Sequence, residues 1–423
     1  MAKNTSSHNT SSSSDLSYSY QSQALEGLKV LDFCWVAIGP MTTRYLADHG
    51  ATVIRIETPS RLDILRNATP FKEGIAGVNR SGYFATMNAN KLAMTVDLKR
   101  PEGLEVIKKL VYWADVVTEN FTPGTMEKLN LGFSELQKIN PSIIMFSTSM
   151  FGRGGPHSSQ PGLGPVLTSL AGFTHLTGWP DRAPVSPYGA YTDFFLPHFA
   201  ISGIIAALDY REETGIGQHL DMSQLEGAIH LLTPTLLEYS INGHIPMRSG
   251  NNNPNASPHG VFPCKDNDTW CALACLTDTQ WNSLANLIGK PALRDNPNFR
   301  TLRGRKENER ELESHIASWT SNYFCRDLMH KLLAEGIPAG MVNACSDLLA
   351  DPQLTHRNHF TTREHPVMEE HLVDGNPMIL SDTPGTVSNR SPLLGEHNEY
   401  VLETILGMDA KEIASLKATG VFD

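Results

Sequence analysis

Cysteine is scarce, with six in 423 residues, which excludes a disulfide framework. Cys264, Cys271 and Cys275 are spaced for two strands and not for a zinc knuckle, and no His pair completes a ligand set. No metal is expected, and buried, reduced thiols fit a cytoplasmic protein. Positive charge is also short. The net charge of −11 disfavours a nucleic-acid partner, although a local basic patch can still hold an anion. Long apolar runs are missing. The longest, Ala200–Leu208, falls well below the roughly 18 residues that cross a bilayer, so a core helix is expected and no membrane partner. Residues 1–23 are rich in Ser and Asn, with no apolar stretch and no Arg. They read as a disordered tail, neither a secretory signal nor a transit peptide.

What remains is the composition of a globular chain, 40% apolar and 19% charged, long enough for two domains. Leu28-Lys-Val-Leu-Asp-Phe33 reads as a first strand. Gly39-Pro40 opens a helix with Pro near its first position, Gly50 ends it, and Ala51-Thr-Val-Ile-Arg-Ile-Glu57 is a second strand. This is a βαβ unit with an acid closing its second strand, as in nicotinamide-binding domains. The glycines of that fingerprint are absent. The turn Cys34-Trp-Val-Ala-Ile-Gly39-Pro40 has one, and Trp35 and Ile38 would obstruct a pyrophosphate. Pro101–Tyr112 is an amphipathic helix, Asp115–Glu119 and Ser142–Ser147 are strands, and Ser134-x-x-Gln137 predicts a capping box. Alternation of strands and helices predicts an α/β fold with a Rossmann-like, mainly parallel sheet. Residues 249–260 read as a turn-rich linker. Strands near Val261–Pro263 and Trp270–Cys275, then helices to Leu333, form a smaller α+β domain. Ala339–Asn343 is a strand leading back. His259 and His397 read as hydrogen-bonding residues in turns.

Asp193 stands out. It is a lone acid in Pro187-Tyr-Gly-Ala-Tyr-Thr-Asp193-Phe-Phe-Leu-Pro, where an uncharged loop meets the apolar run, and Thr214-Gly-Ile-Gly-Gln218 closes the helix. A carboxylate there is costly unless the helix N-terminus stabilises it. It reads either as an N-cap or as a carboxylate held for chemistry. Its apolar neighbours Phe194, Phe195 and Leu196 would keep the site dry.

This segment resembles the nucleophile segment of the class III CoA-transferases, the family of formyl-CoA transferase, carnitine CoA-transferase and alpha-methylacyl-CoA racemase. The likeness runs from about Leu28 to the C-terminus, including Pro392-Leu-Leu-Gly-Glu-His-Asn398. It implies that CoA moves from an acyl-CoA to a free carboxylic acid through a covalent adduct on Asp193. CoA thioesters are then substrates, with no permanently bound cofactor. By resemblance to formyl-CoA transferase, CoA contacts fall on Val36, Ala37 and Ile38, on Val96, Asp97, Leu98 and Lys99, on Asn120, Phe121 and Thr122, and on Lys128. Ala37 replaces a Gln of that relative, Lys128 an Arg, and Thr58 another Arg for which Arg61 or Arg66 could substitute. Asparagines stand in place of a glycine run between Gly250 and Gly260, leaving the oxyanion donors to that loop or to backbone near Gly189. The resemblance also implies an interlocked homodimer. Its domains would be 24–245, the first part of a large CoA-binding domain; 246–345, a small domain; and 346–423, a return segment completing the large one. Two alternatives stay open: a 2-methylacyl-CoA racemase, and a non-catalytic CoA-binding protein. The racemases carry Gly-His-Asp where this chain has Gly162-Leu163-Gly164.

Overall fold

The computed structural model describes residues 23–423; the expected tail, 1–22 of it, lies outside them. The chain divides into two units. Among the described residues, one comprises 23–147, Ala200–Leu220 and Thr361–Asp423, the other Thr148–Phe199 and Asp221–Phe360.

The first unit carries most of a six-stranded sheet: β1 (Lys29–Asp32), β2 (Thr52–Glu57), β3 (Leu92–Thr95), β4 (Val116–Glu119), β5 (Ile144–Ser149) and β6 (His219–Ser223), in the order β3-β2-β1-β4-β5-β6. β3 with β2, β2 with β1, β1 with β4 and β4 with β5 all pair in parallel. Strand order reverses between β1 and β4, which puts a crevice outside their carboxyl ends. Helix α1 (Ile38–Asp48) and helix α2 (Pro101–Trp113) follow β1 and β3. α2 starts at a proline and buries Val106, Ile107, Leu110 and Val111 along one face. Each such side chain contributes about 1.5–3 kcal/mol. The expected capping box at Ser134 does not form. The helix Phe133–Ile139 is preceded by an extended Gly132 with no side-chain cap, so Ser134 already lies inside the first turn.

β3 is an edge strand, a liability for stray pairing. The C-terminal segment covers it. Ala93 N–H donates to His397 Nδ1 at 3.2 Å, Thr95 N–H to Asn398 Oδ1 at 2.9 Å, and Asp97 N–H to the Val421 carbonyl at 2.8 Å.

Charged side chains penetrate this sheet. Asp32, Arg55, Glu57, Asp63, Arg66 and Lys91 are all buried. Lys91 Nζ lies 3.2 Å from Asp32 Oδ2, and Thr43 and Thr118 donate to the same carboxylate at 2.7 and 3.0 Å. Burial would raise the Asp32 pKa, but Lys91 and Arg55 outweigh it and hold it below the usual carboxylate range. Burial pushes Lys91 down to about 8. Arg55 pairs with Asp63, and Arg66 grips Glu57 in a fork at 2.8 and 2.6 Å.

The second unit contains an antiparallel sheet of β7 (His259–Pro263), β8 (Trp270–Ala274) and β9 (Ala339–Met341). Helices pack on it through Trp281, Leu284, Leu312, Ile316, Leu328 and Leu332. Thr277 and Gln280 form a capping box for the helix Asp278–Leu287. Five of the free cysteines are buried, the expected Cys264, Cys271 and Cys275 among them, and Cys345 is exposed. Burial pushes the Cys264, Cys271 and Cys275 thiols up to about 12, which makes them inert.

Removing one member of a buried ion pair leaves the other uncompensated, at a cost of about 3–5 kcal/mol. Lys91→Met strands Asp32 in this way, so urea unfolding should show a stability loss of about that size.

Candidate active site

Asp193 lies in a single 3-10 turn, Tyr191–Phe194, tied by a 2.9 Å bond from its own N–H to the Ala190 carbonyl. Tyr191 is wedged between Phe173 and Phe195, with ring centroids 5.6 and 4.9 Å away. Thr192 is buried against Thr168, whose hydroxyl donates to the Gly164 carbonyl at 2.9 Å. The turn is therefore fixed on both sides of the acid.

Asp193 is not the helix cap that its position suggests. The long helix starts at Leu196, and Asp193 is already coiled inside the preceding turn, whereas a cap residue is extended. The residue is 8% exposed, and its buried Oδ1 has no hydrogen-bond partner. Burial pushes its pKa up to about 6. About nine in ten such groups are ionised at pH 7. Desolvation makes the anion a better nucleophile than a hydrated carboxylate.

Gly164 makes this geometry possible. A Cβ there would sit 2.6 Å from Asp193 Oδ2 and 2.3 Å from Ala190 Cβ. The absence of the racemases' acid at position 164 thus has a steric counterpart. Of the expected dry neighbours, Leu196 is fully buried, but Phe194 and Phe195 are exposed at 39% and 38%. The loop expected to supply oxyanion donors is partly committed elsewhere. Gly250 N–H donates to Gly178, Asn252 to Ser249, Ser257 to Cys275 and Asn255 to the Asn253 side chain.

The residues assigned to CoA gather on the carboxyl edge of the sheet in the first unit. Val36–Ile38 follow β1, Val96–Lys99 follow β3 and Asn120–Thr122 follow β4. The β1 and β4 turns flank the point where strand order reverses. Lys99 and Lys128 are exposed. Lys128 ends the short helix Thr125–Lys128. Two assignments change. Arg66 cannot substitute for a missing phosphate cation, because its guanidinium is buried and clamped by Glu57 and Asn79. Arg61 remains exposed, 5.4 Å over the Trp35 ring. The Asn120 amide faces inward. Its Oδ1 accepts from Trp35 N–H at 2.8 Å and its Nδ2 donates to the Trp35 carbonyl at 2.5 Å.

Sequence reasoning overlooked Asp63, which accepts the Val36 N–H at 3.2 and 3.3 Å, and Asp32 with Lys91. The available signal was charge inside apolar strands, as in Leu31-Asp32-Phe33 and Lys91-Leu-Ala-Met94.

The model of "CoA-transferase family III" matches residues 25–398. The chain belongs to CoA-transferase family III. It is 34% identical over 94% of its length to a succinyl-CoA–D-citramalate CoA-transferase of Chloroflexus aurantiacus, covering 98% of that protein. It is 30% identical to the human succinyl-CoA:glutarate CoA-transferase over 94% of this chain and 90% of the other. A solved CAIB/BAIF family protein of Brucella suis superposes with a TM-score of 0.84, at 32% identity, over 91% of this chain and 100% of its own. As a family III CoA-transferase the protein is an enzyme acting on CoA thioesters, and the dehydrogenase suggested by the βαβ unit falls away.

Gly164→Ala should push the carboxylate aside. A misplacement near 1 Å of a reacting group costs about 100-fold in rate, so with Asp193 as the expected nucleophile transferase activity should fall by that order while circular dichroism stays that of wild type.

Proposed function

We propose that the enzyme transfers CoA from succinyl-CoA to a second dicarboxylic acid, with Asp193 as covalent nucleophile. The observation carrying this is a buried carboxylate with an unpartnered oxygen, fixed in a rigid turn against Gly164. The relatives named for succinyl-CoA or succinate as one partner support the donor. In the first step an Asp193 oxygen attacks the thioester carbonyl carbon. The C–S bond breaks, and CoA leaves as thiolate from a mixed anhydride. The thiolate then attacks the Asp193 carbonyl carbon and releases succinate, leaving an aspartyl–CoA thioester. The acceptor carboxylate attacks that thioester to form a second anhydride. CoA thiolate takes the acceptor's acyl carbon and restores Asp193. Water must be excluded throughout, since it would hydrolyse either anhydride. CoA would lie over the carboxyl edge of the sheet, held by backbone at Val36–Ile38, Val96–Leu98 and Phe121–Thr122, with Lys99 and Lys128 meeting its phosphates.

The enzyme would act as a homodimer. The helix Thr233–Asn242 buries none of its own residues. Leu236, Leu237, Tyr239 and Ile241 are exposed at 50–74%, and Ile245 and Met247 continue the patch. So many exposed apolar side chains on one short stretch support a partner's seat there. The segment Tyr191–Thr214, the 3-10 turn together with the helix after it, is long and apolar enough to cross a membrane by length and composition. Its buried Leu196, Ala200, Ile204 and Ala207 support a core role, and its exposed Phe199 and Ile205 would be covered in the dimer. Free thiols buried among the described residues suit the cytoplasm.

Asp193→Asn keeps the shape of the side chain and removes the nucleophile, so turnover should drop by at least about 1,000-fold. Hydroxylamine trapping with succinyl-CoA should mark the Asp193 peptide in wild type only. Because the acid keeps its proton up to about pH 6, kcat/KM should decline as pH falls through that value. Near-normal transfer by Asp193→Asn, or an unmarked peptide, removes Asp193 from the mechanism.

Sedimentation equilibrium at micromolar concentration should give twice the chain mass. A stable, folded monomer overturns the dimer.

A further inference from the structure

Val36 has φ +60. A β-branched residue in the left-handed region is a true outlier, with its side chain crowding its own backbone. Such a conformation persists only where the surroundings over-determine it, and outliers of this kind gather where ligands are held. Here the surroundings are visible in full. The peptide groups from Cys34 to Val36 are each gripped by a side chain of the first unit, one of them Asp32 at the end of the preceding strand and the others from farther along the chain. Cys34 N–H donates to Asp32 at 2.9 Å, and the Cys34 carbonyl accepts from Arg55 Nη1 at 2.7 Å. Asn120 takes both polar groups of Trp35. Asp63 takes the Val36 N–H with both oxygens.

We infer that Asp63 and Asn120 are positioning residues for acyl-CoA binding, which hold the Trp35–Val36 turn in its strained form so that the start of α1 is presented to CoA. The inference rests on the assignment of CoA to the β1 turn proposed above.

Two features make Asp63 suited to this. It is fully buried and locked from behind by Arg55, so its oxygens have a fixed direction. It also caps its own short helix by accepting the Leu65 N–H at 3.0 Å, which ties the carboxylate to backbone on its own side. α1 itself has no side-chain cap at Ala37 and Pro40 has no N–H, so the Ile38 and Gly39 N–H groups are the donors its first turn offers an anion. Gly39 lets the turn fold back on itself. A Cβ there would meet Cys34 Cβ at 2.3 Å. Were the turn to relax to negative φ, the peptide after Val36 would swing and the helix start would be re-aimed. CoA affinity would fall while the chemistry at Asp193 stayed intact.

The test is a rescue. Glycine adopts φ +60 without a Cβ penalty, so Val36→Gly relieves the strain that Asp63 and Asn120 oppose. CoA binding to full-length enzyme is measured by calorimetry, and KM and kcat for succinyl-CoA by steady-state assay. Asp63→Asn should weaken CoA and raise KM by about ten-fold, a change of one decade in affinity, with kcat within two-fold of wild type. Adding Val36→Gly should restore most of the lost affinity. Asn120→Ala leaves the buried charges untouched, so it serves if Asp63→Asn does not fold, and the same glycine should rescue it. A residue acting only on stability would lower the melting temperature without a rescuable change in KM. A direct CoA contact would not be rescued by glycine at another position. Affinity within two-fold of wild type for both variants, or failure of Val36→Gly to restore either, overturns the inference. Lys99→Ala with Lys128→Ala is run in parallel. If that pair weakens CoA and the Asp63 and Asn120 variants do not, the inference alone falls. If none of them weakens CoA, the assignment of CoA to this edge falls and the inference with it.

Discussion

The sheet unit depends on one constraint: charge buried under the β1 turn must be neutralised completely. Asp32 ends β1 with no exposure, and Lys91 and two threonines answer it. Arg55 crosses from β2 and joins this cluster to Asp63, while Arg66 closes on Glu57 beside the Phe84 ring, 3.7 Å from its centroid. Such a cluster contributes little net stability over an apolar core, since desolvation offsets attraction. What it supplies is direction. Every one of these groups has a single acceptable partner arrangement, so the backbone it touches has a single acceptable path. A hydrophobic core of the same volume would fix the sheet but leave the turn's peptide groups unaddressed.

Asp193 shows the opposite treatment. Its environment withholds partners, and the carboxyl is left near pKa 6 in place of the depressed value seen for Asp32. The two acids have similar burial and differ only in company. One is structural because its charge is matched on all sides. The other is available because its charge is not. Burying an ion without compensation costs stability, and the turn tolerates it because Tyr191, Thr192 and the absence of a side chain at Gly164 hold the geometry regardless.

How much of this was readable beforehand follows from range. β1, β2, α2 and β4 are apolar runs bounded by glycine, proline or charge, and such local contrasts survive in a sequence. The expected mainly parallel sheet is present for the same reason, since fully buried strands read as continuous apolar stretches. Asp193 was visible as an acid out of place, but the reading of it as a cap was not correct, because it lies inside the 3-10 turn and Phe194 and Phe195 stand between it and the helix. Asn120 was read as facing a ligand when its amide faces Trp35, and Arg66 as a free cation when it is locked to Glu57. All three misreadings concern the direction of a polar side chain. That direction is set by partners from 9 to 85 positions away in the case of Arg66 and Asn120, which no local pattern encodes.

The missing glycines now have a physical sense. A dinucleotide turn uses glycine so that backbone can adopt positive φ and approach a pyrophosphate closely. This chain reaches positive φ at the same place with valine, and compensates with four side chains that hold the peptides around it. The strand order β3-β2-β1-β4-β5-β6 creates the same crevice in either case. Freedom from the glycine requirement lets Trp35 stand in the turn, edge-on to Phe121 at 5.8 Å and beneath Arg61. An aromatic and a cation placed together offer a stacking face and a charge, features that suit an adenine nucleotide and that a glycine-lined turn cannot provide. On the proposed seating of CoA at this edge, a sheet topology shared with dinucleotide-binding domains would take a nucleotide thioester instead, with side chains doing the conformational work that glycine does elsewhere.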